Sequence, residues 1–212
     1  MDKFGIKGTL YDLLGYVIPG ALFLLGLFFL HVNKDGGAFF ETIKKFASVK
    51  VSVAFGCGML VCAYTIGHIL ASIGSVLFEN RLVKWIFSNE YARIIYKINE
   101  EKEGEAYAER FHALLGANSH FSFRDVFAYS QEQAKHVYDT SFVFLSIYGF
   151  SRNVSVAMLI LFAIHSIWGD SWTTSFYVAY FVSFAALLHN YFRFKQYYIA
   201  QTYASLSASK SD

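Results

Sequence analysis

The sequence predicts an all-α polytopic membrane protein with four transmembrane helices and a small helical cytoplasmic subdomain. Three observations carry that prediction. Leu13 to Asn33 holds no charged side chain, and 21 helical residues rising about 1.5 Å each span ~30 Å, the hydrocarbon thickness of a bilayer. Val51 to Phe78 is a second uncharged run, of 28 residues. Charged side chains make up 16% of the 212 residues, against about 25% in ordinary soluble domains, a deficit that suits a surface facing lipid. A single segment can cross lipid with its backbone hydrogen bonds satisfied only as a helix.

The first span, residues 13–33, opens behind Thr9-x-x-Asp12, which has the form of a helix N-terminal capping box. Pro19, the only proline of the chain, lies inside it with Gly15 and Gly20 on either side. A proline there removes one helix hydrogen bond and kinks the span near its start. The run is longer than the apolar core of a signal peptide and no small-x-small cleavage site follows it, so an uncleaved span is expected. Asn33 to Lys50 is a polar connection with Phe39, Phe40, Ile43 and Phe46 at near-helical spacing, as in a short interfacial helix.

The second span, residues 51–78, is longer than a bilayer requires and is expected to tilt. Ala63, Gly67, Ala71 and Ser75 recur every four residues and form a narrow stripe of small side chains. Such stripes let helix backbones approach closely in lipid. Tyr64, His68 and Ser72 form the adjacent stripe. A histidine near mid-membrane faces protein or water. The bland reading of His68 is a neutral imidazole bonded to a neighbouring helix, and the sharper one is a pore-lining or proton-sensing group.

Residues 79–139 hold ten acidic and eight basic side chains, well mixed. Phe87, Tyr91, Ile94, Ile95 and Ile98, then Tyr107, Phe111, Leu114 and Leu115, follow helical spacing, and Ser122-x-x-Asp125 reads as a cap opening a third helix. Thr140 to Ser151 continues that helix into the interface. Arg152 is then read as a boundary anchor, with Arg152 buried in mid-membrane as the alternative, at about 2.5–3.5 kcal/mol on insertion scales. The third span, residues 153–169, and the fourth, residues 171–192, are separated by Trp168, Asp170 and Trp172, a headgroup-type turn. Fourteen of the eighteen lysines and arginines fall on one side if both termini are cytoplasmic, which the positive-inside rule favours.

The chain carries little that points to chemistry. Net charge is +2, too small a footprint for direct nucleic-acid binding. Cys57 and Cys62 both lie in the second span and read as small apolar residues rather than a disulfide or zinc site. Glu109-x-x-His112 is a single pair, where a di-metal carboxylate bundle needs two. No P-loop, nucleophile elbow, zinc-protease motif or dinucleotide fingerprint is present. The reading is a non-enzyme with no cofactor and no metal, single-unit over residues 1–212.

Tyr11-Asp-Leu-Leu-Gly-Tyr-Val-Ile-Pro-Gly20, Phe150-Ser-Arg-Asn153 and the arginine- and tyrosine-rich Arg193 to Tyr203 resemble small polytopic bacterial membrane proteins of phage-defence loci. That group includes the membrane accessory proteins of CRISPR systems that target RNA. The resemblance implies a protein of the bacterial inner membrane, an effector or accessory in antiviral defence with a cytoplasmic defence-system partner. It also implies a homo-oligomer that forms a pore. The degenerate ribonuclease-like motif of such proteins is missing here, since Ala157, Met158 and Leu159 stand where a histidine would follow Arg152.

Three functions therefore compete. A pore-forming effector would use Tyr64, His68 and Ser72 along a conduction path, with Gly67 and Ala71 in a packing seam between copies and Arg152 and Asn153 at a boundary or pore. A structural or regulatory subunit of a larger complex would use the same residues for helix packing alone. A secondary transporter is disfavoured, because the four spans show no internal repeat and no matching broken helices.

Overall fold

The computed structural model describes residues 11–34, 53–82, 127–128, 135–168 and 174–208. Among the described residues the chain is helical throughout and has no strand. A π-helical segment, Leu13–Val17, runs directly into α1, Ile18–Lys34. Helix α2, Val53–Gly74, runs directly into a second π-helical segment, Ser75–Leu82. Helices α3, Lys135–Trp168, and α4, Thr174–Ala208, are single long rods. Among the described residues three stretches are long and apolar enough to cross a membrane: Leu13–His31, Val53–Glu79 and Asp139–Ile167. The chain is thus a helical protein with the makings of a multi-pass membrane protein. Helix α4 is not among the three; Tyr177, Tyr180, Ser183, His189 and Asn190 dilute its apolar run.

The helices pack in a simple up-and-down manner. Asn153 meets Gly15, and Leu161 lies against Gly26 about two to three turns further along both, so α1 and α3 run parallel. Helix α2 is antiparallel to α1, with Gly67 against Tyr16 and Gly20 against Ala63. Helices α3 and α4 form an antiparallel hairpin, tied by His165 Nε2 to Tyr177 Oη at 3.3 Å near its turn and by the Tyr148–Tyr191 rings further back. The shared core consists of Leu70, Phe78, Val156, Ala157, Tyr191 and Phe192. In lipid this core is held by packing rather than by apolar surface leaving water.

Several expectations change. The seam of small residues is built inside one chain: Ala63, Gly67, Leu70, Ala71 and Gly74 are the buried residues of α2. Residues 135–168 form one unbroken helix, whose apolar window starts at Asp139, well before the expected third span at Asn153, and includes Arg152. Nothing in Arg152-Asn153 opposes helix, and neighbouring helices supply partners for both side chains. Asp12 lies in helical backbone and makes no side-chain cap bond. The interfacial helix around Phe39 to Phe46 and the bulk of the expected subdomain, residues 83–126 and 129–134, lie outside the described residues. So do Thr9, Ser122, Asp125 and Trp172.

Candidate functional site

The chain's polar chemistry gathers in one layer where α1, α2 and α3 meet. It begins with Pro19. In an α-helix the carbonyl of residue 15 accepts from the N–H of residue 19, and proline has none. The backbone widens here, so that the Ile18 N–H reaches the Leu13 carbonyl five residues back. Asn153 Nδ2 then donates to the Gly15 carbonyl at 2.7 Å. Both Gly15 and Asn153 are buried, so water does not compete for the bond. An α3 side chain replaces the donor that Pro19 removed from α1.

Arg152 does the corresponding job for the second π-helical segment. Its Nη1 forms an ion pair with Glu79 Oε1, and its Nε donates to Asn153 Oδ1 at 3.1 Å. The same Glu79 oxygen accepts from Tyr148 Oη at 3.1 Å, and Oε2 accepts from Ser75 Oγ at 3.0 Å. The guanidinium carbon lies 5.7 Å from the Tyr148 ring centre. Gly74 leaves the room for it, since a Cβ there would stand 3.2 Å from Arg152 Cγ and Nε. Two successive residues of α3 therefore pin the two π-helical segments of its neighbours. Such segments are frequent at functional sites because they open the backbone ladder.

Tyr11, one turn before Gly15, closes the layer. Its ring packs on Tyr16 and Phe142. Burial, with the hydrogen bond to Tyr16 second, pushes its phenol well above the ordinary tyrosine range, so it stays neutral.

The Tyr64–His68–Ser72 stripe is placed differently, on the outer face of α2. The His68 imidazole stacks flat on Tyr16, with centroids 3.8 Å apart and planes 13° from parallel. Tyr64 stands edge-on to both rings. Ser72 Oγ donates to the His68 carbonyl one turn back, at 3.0 Å. The stripe is a surface cluster of rings, while Gly67 and Ala71 are buried beside it.

Of the residues singled out from the sequence, Arg152 and Asn153 come together in the layer, and Tyr64 and His68 in the stack; the two groups are separate. Glu79, Tyr148 and the Gly15 carbonyl were missed, and Ser75, read as a small residue of the stripe, is in addition a donor to Glu79. Only Pro19 signalled the carbonyl, by orphaning it. Among the described residues no three His, Cys, Asp or Glu side chains lie close enough to hold a metal ion. The arrangement can lock helices together.

The fold and the layer define a class, a helical membrane protein whose spans are fastened by a buried polar network. No protein-family model, no curated protein and no solved structure matches the chain.

The Asn153 bond gives a direct test. Asn153→Ala leaves the Gly15 carbonyl buried without its donor, a loss of about 1–3 kcal/mol in folding stability. Pro19→Ala restores an N–H at the α-helical position, so the Asn153→Ala penalty shrinks in that background. Reversible unfolding in mixed micelles measures both; equal penalties in the two backgrounds would show that the bond does not compensate for Pro19.

Proposed function

We propose that the chain is a non-catalytic membrane effector or accessory protein that works as an assembly of copies and perturbs the bacterial inner membrane in antiviral defence. In this reading four segments cross the bilayer, both termini are cytoplasmic, and a cytoplasmic partner of the defence system engages the chain. The observation that supports it is the exposed pair of rings Tyr64 and His68 on the outer face of α2, with the half-buried Tyr16 of the first π-helical segment stacked on His68. Imidazole and phenol groups in a span are costly against lipid and call for a protein or water cover. A second copy in a closed ring would supply that cover. The defence setting rests on the resemblance alone.

A second reading, a structural or regulatory subunit of a larger complex, is favoured by the hydroxyl groups of the same face. Ser72 and Thr65 donate to carbonyls of their own helix, at 3.0 and 2.9 Å, so neither needs a water-filled path.

Purified protein in sealed liposomes separates the two. The assembly reading expects release of a trapped dye and a particle several times the monomer mass. His68 faces Tyr16, in the π-helical segment before α1, and Tyr64 on its own helix. His68→Ala is therefore expected to reduce release. Tight vesicles and a monomer in detergent would transfer the support to the subunit reading.

A further inference from the structure

A question of depth is posed by α3. By composition its apolar window runs Asp139–Ile167, which would centre Arg152 in the bilayer. The partners of Arg152 and Asn153 point elsewhere. Asn153 bonds Gly15, two residues into the apolar window Leu13–His31, and Arg152 pairs with Glu79, the last residue of the window Val53–Glu79. The layer is therefore level with one end of both other spans. If it lay at mid-bilayer, half of α1 and half of α2 would stand outside the hydrocarbon on the far side. Their large exposed side chains would go with them, Leu25 and Phe28 on α1, Phe55 and Met59 on α2.

We propose that the Gly15–Glu79–Arg152–Asn153 layer marks one face of the bilayer, and that the α3–α4 hairpin continues about 25 Å past it as a two-helix extension in water. The proposal is independent of whether copies assemble into a pore.

Three further observations agree with it. First, the aromatic side chains of α3 before Arg152 pack largely on other rings of the protein, and between Asp139 and Arg152 Val143 is the one large apolar side chain that is exposed. Phe142 packs on Tyr11, Phe144 on Phe194 and Tyr197, and Tyr148 on Tyr191 and Tyr198. These side chains are half-buried, so part of their apolar surface is taken up by protein rather than lipid. Second, α4 changes composition at the same level. From Thr174 to Leu188 it has no charged residue, His, Asn or Gln; His189, Asn190, Arg193, Lys195, Gln196 and Gln201 follow. Tyr148 and Tyr191 face each other there, which sets the register. Third, Arg193 lies exposed just past the layer with its guanidinium over the Phe194 and Tyr197 rings and its Nε donating to Tyr197 Oη at 3.2 Å. A cation on an aromatic bed is a headgroup-level arrangement.

The remaining depth is consistent. From Arg152 to Trp168 the helix covers about 24 Å, enough for a somewhat thinned hydrocarbon core, with Trp168 at the opposite interface.

The test places one cysteine at a time on exposed positions of the full chain, with Cys57 and Cys62 changed to Ser. Val143→Cys and Tyr197→Cys lie past the layer; Leu159→Cys and Val182→Cys lie before it, and all four native side chains are exposed. A fluorophore on each is quenched by phospholipids carrying nitroxides in the acyl chain. Strong quenching is expected at 159 and 182, and little at 143 and 197. A membrane-impermeant maleimide should label 143 and 197 about tenfold faster, since water is absent from the hydrocarbon core. Strong acyl-chain quenching at 143 and 197 would overturn the proposal and put Arg152 at mid-bilayer. Slow labelling without quenching there would sustain it, by showing a protein cover outside the lipid.

Discussion

Gly20→Ala and Gly67→Ala are each expected to drive α1 and α2 apart and cost the folded chain about 1–3 kcal/mol or more, the range for overpacking a tight contact. A methyl group on Gly20 would fall on the Ala63 carbonyl oxygen, 2.7 Å from its carbon and 2.9 Å from the Gly67 nitrogen. One on Gly67 would fall on the Tyr16 carbonyl oxygen, 2.7 Å from the Tyr16 Cα. Both obstacles are backbone, so no side chain can swing away and only a helix shift makes room. The shift would also lift Tyr16 from His68 and strain the neighbouring Gly15–Asn153 bond. Gly56→Ala and Gly58→Ala are the controls, because nothing lies within 4 Å of a Cβ at either position. In helix they should be neutral or slightly stabilising. The measurement is unfolding in mixed micelles, followed by circular dichroism or steric trapping. If Gly20→Ala tracks Gly56→Ala, the α1–α2 seam is not closely packed.

This seam shows what the sequence could and could not disclose. The four-residue repeat of Ala63, Gly67 and Ala71 announced a close helix approach, and Gly15 and Gly20 lay in plain view on the first span. What spacing cannot supply is the partner. A stripe that admits another backbone is the same whether that backbone belongs to this chain or to a second copy. Here α1 occupies it, which leaves any contact between copies to other faces, the ring cluster of Tyr16, His68 and Tyr64 among them.

The helical class and the first two apolar windows were legible because length without charge is a direct physical signal, whereas the charge of Arg152 hid the early start of the third at Asp139. The polar layer was not legible. Arg152 and Glu79 are 73 residues apart, and Glu79 read as the first residue of the charged, water-facing stretch. Periodicity does not mark a π-helical segment, which differs from an α-helix by one residue in its hydrogen-bond ladder. Even so, two clues were present. Pro19 orphaned a carbonyl at a countable distance, and Arg152 was the single charged residue between Thr140 and Gly169 and asked for a partner.

Removing either charge of the Arg152–Glu79 pair is expected to be among the most damaging changes in the chain. Arg152→Met leaves Glu79 with Ser75 and Tyr148 but no cation, and Glu79→Leu leaves a guanidinium in a layer that is largely closed. Breaking a buried pair from one side costs about 3–5 kcal/mol. The Glu79 side chain keeps 30% of its exposure, against 11% for Arg152, so the lower end of that range applies, and Glu79→Leu is the worse of the two because the more buried charge is stranded. Arg152→Lys is not a mild change, since a single ammonium that keeps the pair with Glu79 gives up the Nε bond to Asn153. The double variant Arg152→Met with Glu79→Leu removes both charges and fills the space with apolar atoms, and it is expected to recover most of the loss. Recovery would identify the pair as a fastening of α2 to α3. Additive losses in the double variant would show instead that each side chain acts through separate contacts, Arg152 through Asn153 and Tyr148, Glu79 through Ser75.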